Sequence, residues 1–250
     1  LQWLGLTWDK GPYYQIKRAE LYQDALLKLK QQKLLYPCFC SRADLHAAQA
    51  PHASDGAYVY AGTCRDLSKS EREELSKHKI PATRIRVANK TYAFEDKVYG
   101  QTSQNLAESC GDFIVQRADG VFAYQLAVVV DDADMGVTEV VRGSDLLSST
   151  PRQLYLQDVL GFSHPIYAHL PLLVAPDGRR LSKRNHDLDL GVLRDQGKTP
   201  EEILGFLAYC IGLAEKEEPL SAVQVANRFS WDVLRAHRKN VVVEHFSHVL

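Results

Sequence analysis

Val121-Phe-Ala-Tyr-Gln-Leu-Ala-Val-Val-Val-Asp-Asp132 is the stretch whose reading decides the fold. Its unbroken apolar run, Leu126 to Val130, has the pattern of a strand buried on both faces of a parallel sheet, and such a strand ends at a ligand-binding edge. Two later stretches extend the same wall. Val137-Thr-Glu-Val-Val-Arg-Gly-Ser-Asp145 puts Arg142 at the end of another β-rich run, where a guanidinium can grip a carboxylate through two parallel hydrogen bonds. A structural ion pair with a residue such as Asp145 is the alternative for Arg142, and a core aromatic with a locally satisfied hydroxyl is the alternative for Tyr124. His169 to Arg184 carries the basic loop Arg180-Leu-Ser-Lys-Arg184 just after a Pro176-Asp177-Gly178 turn.

The bulk properties bound the rest. A chain of 250 residues can form one large domain with an insertion or two modest domains. No stretch approaches the roughly 18 to 20 apolar residues a membrane span needs, and no signal peptide is visible, so a cytoplasmic protein is expected. The cysteine count, five, is odd, and Cys38-Phe-Cys40 is a spacing that suits a metal better than a disulfide in a reducing compartment. The net charge of -1 means that a nucleic acid would be held by a local basic patch, not by the field of the whole molecule.

Tyr14 to Lys33 predicts an amphipathic helix that covers the sheet: Ile16, Ala19, Tyr22, Leu26 and Leu29 recur at three- and four-residue steps. Tyr36-Pro-Cys-Phe-Cys40 and Tyr58-Val-Tyr-Ala-Gly-Thr-Cys64 then flank a loose segment. Three thiolates and one more donor would complete the tetrahedral shell of structural zinc. By chemistry alone His46 and His52 are the better fourth donors, because a phenol holds its proton until about pH 10. Three unrelated cysteines are the alternative, since Cys-x-Cys is a short signal.

Further along, Leu67 to Lys79 reads as a solvated helix or loop, and Thr83 to Val87 alternates as an edge or half-buried strand does. Phe113 to Gln116 and Val121 to Tyr124 predict a hairpin turned by Asp119-Gly120. Asp131 and Asp132 read as holding a strand end and loop together; a role for Mg2+ there is open and not indicated. Ser149-Thr-Pro-Arg-Gln153 predicts a helix start with Thr150 as cap and Gln153 reaching back, and Thr199-Pro-Glu-Glu202 repeats the device. Cys110 and Cys210 read as packed thiols. Residues 231–250 receive no assignment.

The motifs Tyr124-Gln-Leu-Ala-Val-Val-Val-Asp-Asp132, Val141-Arg-Gly-Ser-Asp-Leu146, Thr150-Pro-Arg-Gln153 and Leu181-Ser-Lys183, in this order, resemble the catalytic core of the glutamyl-tRNA synthetases. These are class I aminoacyl-tRNA synthetases, and the chain is most similar to their short paralogues, up to about residue 215. The resemblance implies an α/β fold: a class I, Rossmann-type nucleotide-binding domain with an inserted zinc-bearing α+β domain and a small C-terminal helical region. The expected boundaries are 1–36 and 116–185 for the two parts of the catalytic domain, 37–115 for the insertion and 186–250 for a helical stem-contact-like region. In the resembled family a first strand and a His-Ile-Gly-His motif precede the phrase Leu1-Gln-Trp; both are absent from these residues, so the 250 residues alone are expected to lack half of an ATP site.

The resemblance also assigns roles. Lys183 matches the second lysine of the Lys-Met-Ser-Lys-Ser loop and Ser182 its neighbour, with departures at Arg180, Leu181 and Arg184 that keep the first charge. Tyr124 and Arg142 match the glutamate-binding pair, and Tyr60, four positions before Cys64, matches the fourth metal ligand beside Cys38, Cys40 and Cys64. Gln15, Arg18 and Tyr22 fit a family pattern, with surface polar residues as the alternative, and Phe94-x-Asp96 with Gly100 fits another. Activation would have a glutamate carboxylate attack the α-phosphorus of ATP, so fixed cations and alignment are the main needs. The short paralogues pass glutamate to queuosine in the anticodon of tRNA(Asp), without tRNA in the first step. The implied partners are thus L-glutamate, ATP and that tRNA, with zinc as structural cofactor and a monomer expected. Two rivals stay open: a truncated glutamyl-tRNA synthetase core charging tRNA(Glu), and a non-catalytic zinc-bearing RNA-binding module.

Overall fold

The computed structural model describes residues 1–41, 43–44, 59–181 and 189–243. In chain order it runs through α1 (Ala19–Gln31), β1 (Leu35–Cys38), α2 (Lys69–His78), β2 (Ala82–Ile85), β3 (Thr91–Asp96), β4 (Gly100–Asn105) and β5 (Phe113–Gln116). It continues with α3 (Tyr124–Asp134), β6 (Glu139–Gly143), α4 (Thr150–Leu160), β7 (Ile166–Leu170) and β8 (Leu173–Val174). Four helices, α5 (Leu190–Asp195), α6 (Pro200–Cys210), α7 (Ala222–Asn227) and α8 (Trp231–Ala236), precede β9 (Val241–Val242) among the described residues. No helix among the described residues is long and apolar enough to cross a membrane.

A four-stranded sheet in the order β4-β3-β7-β6 carries the site. Its inner pairs, β3 with β7 and β7 with β6, are parallel, whereas β4 folds back on β3 as an antiparallel hairpin. That hairpin lies within the stretch 37–115 expected as an insertion, and it meets β7 at a single register, Asp96 against Tyr167. A second sheet, β1-β2-β5, is antiparallel. Ile85 and Val115 of this sheet share one core with Leu29 of α1, Leu126 of α3 and Leu156 of α4, so both sheets close on the same apolar interior. Leu4, Leu193, Ile203, Phe206 and Val243 form a smaller cluster that ties the first residues to the C-terminal helices.

The stretch expected to be a doubly buried strand is instead helix α3. Leu126, Ala127, Val129 and Val130 are all buried, and Val128 is partly so, because α3 packs against α1 and α4 and shares the common core. A helix enclosed on most sides needs no polar face, and a short apolar run therefore cannot be told from a strand by periodicity. Burial overrides the weak helix preference of Val128-Val-Val130. The expected hairpin survives only in part: Gly120, at φ 84, turns the chain, but the return strand is reduced to a bridge between Gln116 and Phe122. Ile16 also departs from expectation, since it is 89% exposed in a 3-10 turn (Gln15–Lys17) ahead of α1.

Asp131 is the bolt between α1 and α3. It accepts from Gln15 Nε2 at 2.9 Å, Arg18 Nε at 2.7 Å and Tyr22 Oη at 2.8 Å, and Arg18 reaches Asp134 as well at 2.7 Å. Burial and the bond to Asp131 push the Tyr22 hydroxyl up to about 12, so it remains a donor at neutral pH. Tyr22 is buried, Arg18 half-buried and Gln15 exposed, yet all three are fastened to one carboxylate, and Asp131 holds two helices, not a strand end. Asp131→Ala is expected to lower the melting temperature by about 5 to 10 °C in calorimetry, because a shielded cation, an amide and a phenol lose one shared acceptor. A fall under about 2 °C would contradict this role.

Candidate active site and thiol cluster

Parallel pairing sets Arg142 of β6 directly beside His169 of β7. Arg142 Nε donates to His169 Nε2 at 3.0 Å, and its Nη2 donates to Thr150 Oγ1 at 2.9 Å. The guanidinium also lies 5.3 Å from the centre of the Tyr167 ring, a cation–π distance. His169, wholly buried, has its Nδ1 2.6 Å from Asp96 Oδ2. Asp96 Oδ1 accepts the backbone N–H of Val98 and of Tyr99, each at 2.9 Å, and that of His169 at 3.3 Å. Burial works against a charged Asp96, yet the His169 ring and these backbone donors together hold its carboxyl below the ordinary range.

Arg142 does not pair with Asp145; Arg180 does. Thr150 does not cap α4 through its side chain, because its hydroxyl is turned to Arg142, and Gln153 reaches Gln125 Oε1 at 2.9 Å instead of the cap amide. Gln125 in turn donates to Ser149 at 3.0 Å, so the N-terminal ends of α3 and α4 are laced together beside Arg142. Only Pro151 plays its expected part at that helix start, whereas Thr199 and Glu202 do form the reciprocal cap of α6. Tyr124 opens α3 and is 48% exposed. Arg142, Asp132 and Tyr124 all bear on the Tyr167 hydroxyl, which burial raises above its ordinary value while Gln157 and Arg142 pull it down. Asp132 is likewise raised, first by burial and then by Asp131, with Arg142 opposing.

Beyond β8 the expected turn is present: Gly178, at φ 80, reverses the chain and Arg180 bridges back to Val174. A cleft of about 970 Å³ opens between β4, the turn Ser144–Ser149 and Arg180. Leu181 is packed against the C-terminal cluster. Ser182, Lys183 and Arg184 lie outside the described residues, as do His46 and His52.

The three thiols at positions 38, 40 and 64 do converge. Their sulfurs all lie within 4.8 Å of one another, with Cys40 and Cys64 3.5 Å apart. A tetrahedral zinc with Zn–S bonds of about 2.3 Å sets sulfurs roughly 3.8 Å apart, so the cluster is compatible with that ion. Tyr60 Oη lies 3.6 Å from Cys38 Sγ and 3.9 Å from Cys40 Sγ and accepts the Cys64 N–H at 2.7 Å. Gly111 permits this: at φ 66, any Cβ there would sit 2.3 Å from the Tyr60 carbonyl oxygen. Burial pushes the Tyr60 hydroxyl up, the Cys64 N–H opposing, and burial with the Cys64 contact lifts the Cys40 thiol to about 12.

Arg84 completes this cluster. The strand that carries it, β2, is the central strand of its sheet and not an edge, so the guanidinium is buried. Its Nε donates to Cys38 Sγ at 3.1 Å, its plane covers the Tyr60 ring at 3.8 Å, and Nη1 donates to the Asp112 carbonyl at 2.7 Å. Burial disfavours a Cys38 thiolate, but Arg84, with the Cys40 backbone and Tyr60 hydrogen bonds, holds that thiol below its ordinary value. Three thiolates around a divalent ion leave one net negative charge, which Arg84 would balance. A charged residue within an alternating strand gave no sign of this in the sequence.

Residues 1–247 match the family described as tRNA synthetases class I (E and Q), catalytic domain. A glutamyl-Q tRNA(Asp) synthetase of Symbiobacterium thermophilum is 47% identical, across 96% of this chain and 77% of the relative. One from Rhodopirellula baltica is 42% identical, across 98% of this chain and 80% of the relative. The fold is similar to crystal structures of a glutamate tRNA ligase from Elizabethkingia meningosepticum (TM-score 0.73, 23% identity, 96% of this chain) and of the glutamate-tRNA synthetase from Elizabethkingia anophelis (TM-score 0.75, 23% identity, 97% of this chain). The chain spans only 55% and 56% of those two structures.

Proposed function

Because the chain belongs to the class I tRNA synthetases of the glutamate and glutamine group, and within them to the glutamyl-Q tRNA(Asp) synthetases, we propose that it takes part in ATP-dependent activation of glutamate and transfer of the glutamyl group to queuosine of tRNA(Asp). The observation that carries this reading is the buried footing of Arg142. A guanidinium whose Nε and Nη2 are held by a histidine and a threonine at a parallel strand end, with Nη1 turned to no described partner, supports a role in binding an anion. Arg142 receives the side-chain carboxylate of glutamate, together with Tyr124 at the start of α3.

Activation joins the α-carboxylate of glutamate to the α-phosphorus of ATP and expels pyrophosphate. Charge gathers on phosphoryl oxygens, so cations and alignment carry the chemistry. Lys183 supplies the cation, and Arg180, already anchored on Asp145, sets where its loop begins. Cys38, Cys40, Cys64 and Tyr60 hold a zinc ion that stabilises the lobe around β1 and β2 and takes no part in the reaction. The site of action is the cytoplasm, where tRNA is found.

Glutamate-dependent exchange of labelled pyrophosphate into ATP, measured on the complete gene product without tRNA, tests the first half. Lys183→Ala is expected to reduce the exchange by about 100- to 1000-fold, the range for removing one preorganised donor from a developing negative charge. Transfer of labelled glutamate to queuosine-bearing tRNA(Asp), set against tRNA(Glu), tests the second. Charging of tRNA(Glu) in its place would assign the chain to the ordinary synthetases.

A further inference from the structure

We infer that Asp96 and His169 are positioning residues that fix the orientation of the Arg142 guanidinium, so that it offers one set corner to a substrate carboxylate. The inference rests on Arg142 being the glutamate clamp and adds how the clamp is aimed.

The argument follows from which atoms can only donate and which can only accept. Arg142 Nε is always a donor, so His169 Nε2, 3.0 Å away, must present a lone pair. His169 Nδ1 must then carry the ring proton, and Asp96 Oδ2 at 2.6 Å receives it. Asp96 can play no other part, since its second oxygen already accepts three backbone N–H groups. One tautomer of His169 thus satisfies every partner, and the carboxylate selects it. Thr150 Oγ1 lies 3.4 Å from the same Nε2 and accepts Arg142 Nη2, which closes a triangle around the Nε–Nη2 side of the guanidinium. Among the described residues, Nη1 is the corner left unengaged. The three residues come from separate elements, β3, β7 and β6, which meet only through parallel pairing. Asp96 and His169 are both fully enclosed, so solvent cannot replace either bond.

Asp96→Asn keeps shape and volume but alters this logic. If the asparagine amide donates to Nδ1, the ring proton moves to Nε2 and meets the Arg142 N–H head-on. Glutamate and ATP dissociation constants measured by calorimetry, with the His169 ring nitrogens followed by 15N NMR, read this directly. The expected result for Asp96→Asn is a roughly ten- to hundredfold weaker affinity for glutamate, the span for loss of a hydrogen bond to a charged group. The NMR signature should show the proton moving from Nδ1 to Nε2, and ATP affinity should stay within about twofold of wild type. His169→Leu should match that loss, whereas His169→Gln, whose Oε1 can still accept from Arg142 Nε, should recover most of it. Should His169→Leu fail to fold, Asp96→Asn and His169→Gln still decide the matter. Glutamate affinity unchanged in Asp96→Asn while Arg142→Leu destroys it would overturn the inference alone. Unchanged affinity in Arg142→Leu would overturn the reading beneath it.

Discussion

Arg142→Leu is expected to cut kcat/KM for glutamate in pyrophosphate exchange by about 1000-fold and to leave KM for ATP near its wild-type value. The magnitude comes from the roughly 3 to 5 kcal/mol lost when an enclosed charge is deprived of its partner. Two losses add in the variant. The substrate carboxylate has no cation, and His169 Nε2 and Thr150 Oγ1 lose their shared donor. Arg142→Lys should recover little, because one ammonium on a flexible stem cannot reach His169 and Thr150 together and still face a carboxylate. A loss smaller than tenfold in Arg142→Leu would remove this residue from glutamate recognition and restore a purely structural part for it.

The second large effect concerns the thiols. Cys64→Ser is expected to abolish a stoichiometric zinc content measured by mass spectrometry, and a strong chelator should do the same to the unaltered chain. Structural zinc sites contribute about 10 to 16 kcal/mol of apparent binding free energy at neutral pH, and that energy is folding energy. Backbone amides from Val59 through Cys64, and those of β1, should then exchange hydrogen rapidly, while α3 and α4 stay protected. Cys210→Ser, far from the cluster in the C-terminal packing, serves as the control and should keep its metal. Full zinc retention in Cys64→Ser would exclude the thiol cluster as the metal site. Tyr60→Phe asks a finer question: it removes both the candidate fourth ligand and the acceptor of the Cys64 N–H, and zinc affinity unchanged in it would exclude the phenol from the metal.

Much of this is legible in the sequence itself. Arg142 at a strand end, the turn at Gly178, the reciprocal cap at Thr199 and the convergence of Cys38, Cys40 and Cys64 with Tyr60 all follow from local chemistry or from motif order. The misreadings have a common physical source. Leu126 to Val130 looks like a strand because burial on most sides erases the helical period, and Thr150 looks like a cap because its tertiary partner, Arg142, is hidden in the linear text. Asp96 and His169 stand 73 positions apart, so nothing local announces their pairing. Beside the family pattern Phe94-x-Asp96, a histidine set in the apolar run Ile166-Tyr-Ala-His-Leu170 was a hint, since such a ring must find polar company once enclosed.

The narrow seam between β3 and β7 bears on how parts of this protein could be exchanged with those of relatives. Asp96 belongs to a hairpin that a modular view would transplant along with the thiol lobe, yet its carboxylate is spoken for by a histidine from the other side of the join. Chimaeras cut on either flank of residues 91–105 would therefore inherit mismatched halves of one clasp. Recombination points that keep positions 96 and 169 from the same parent are the ones from which working hybrids should emerge.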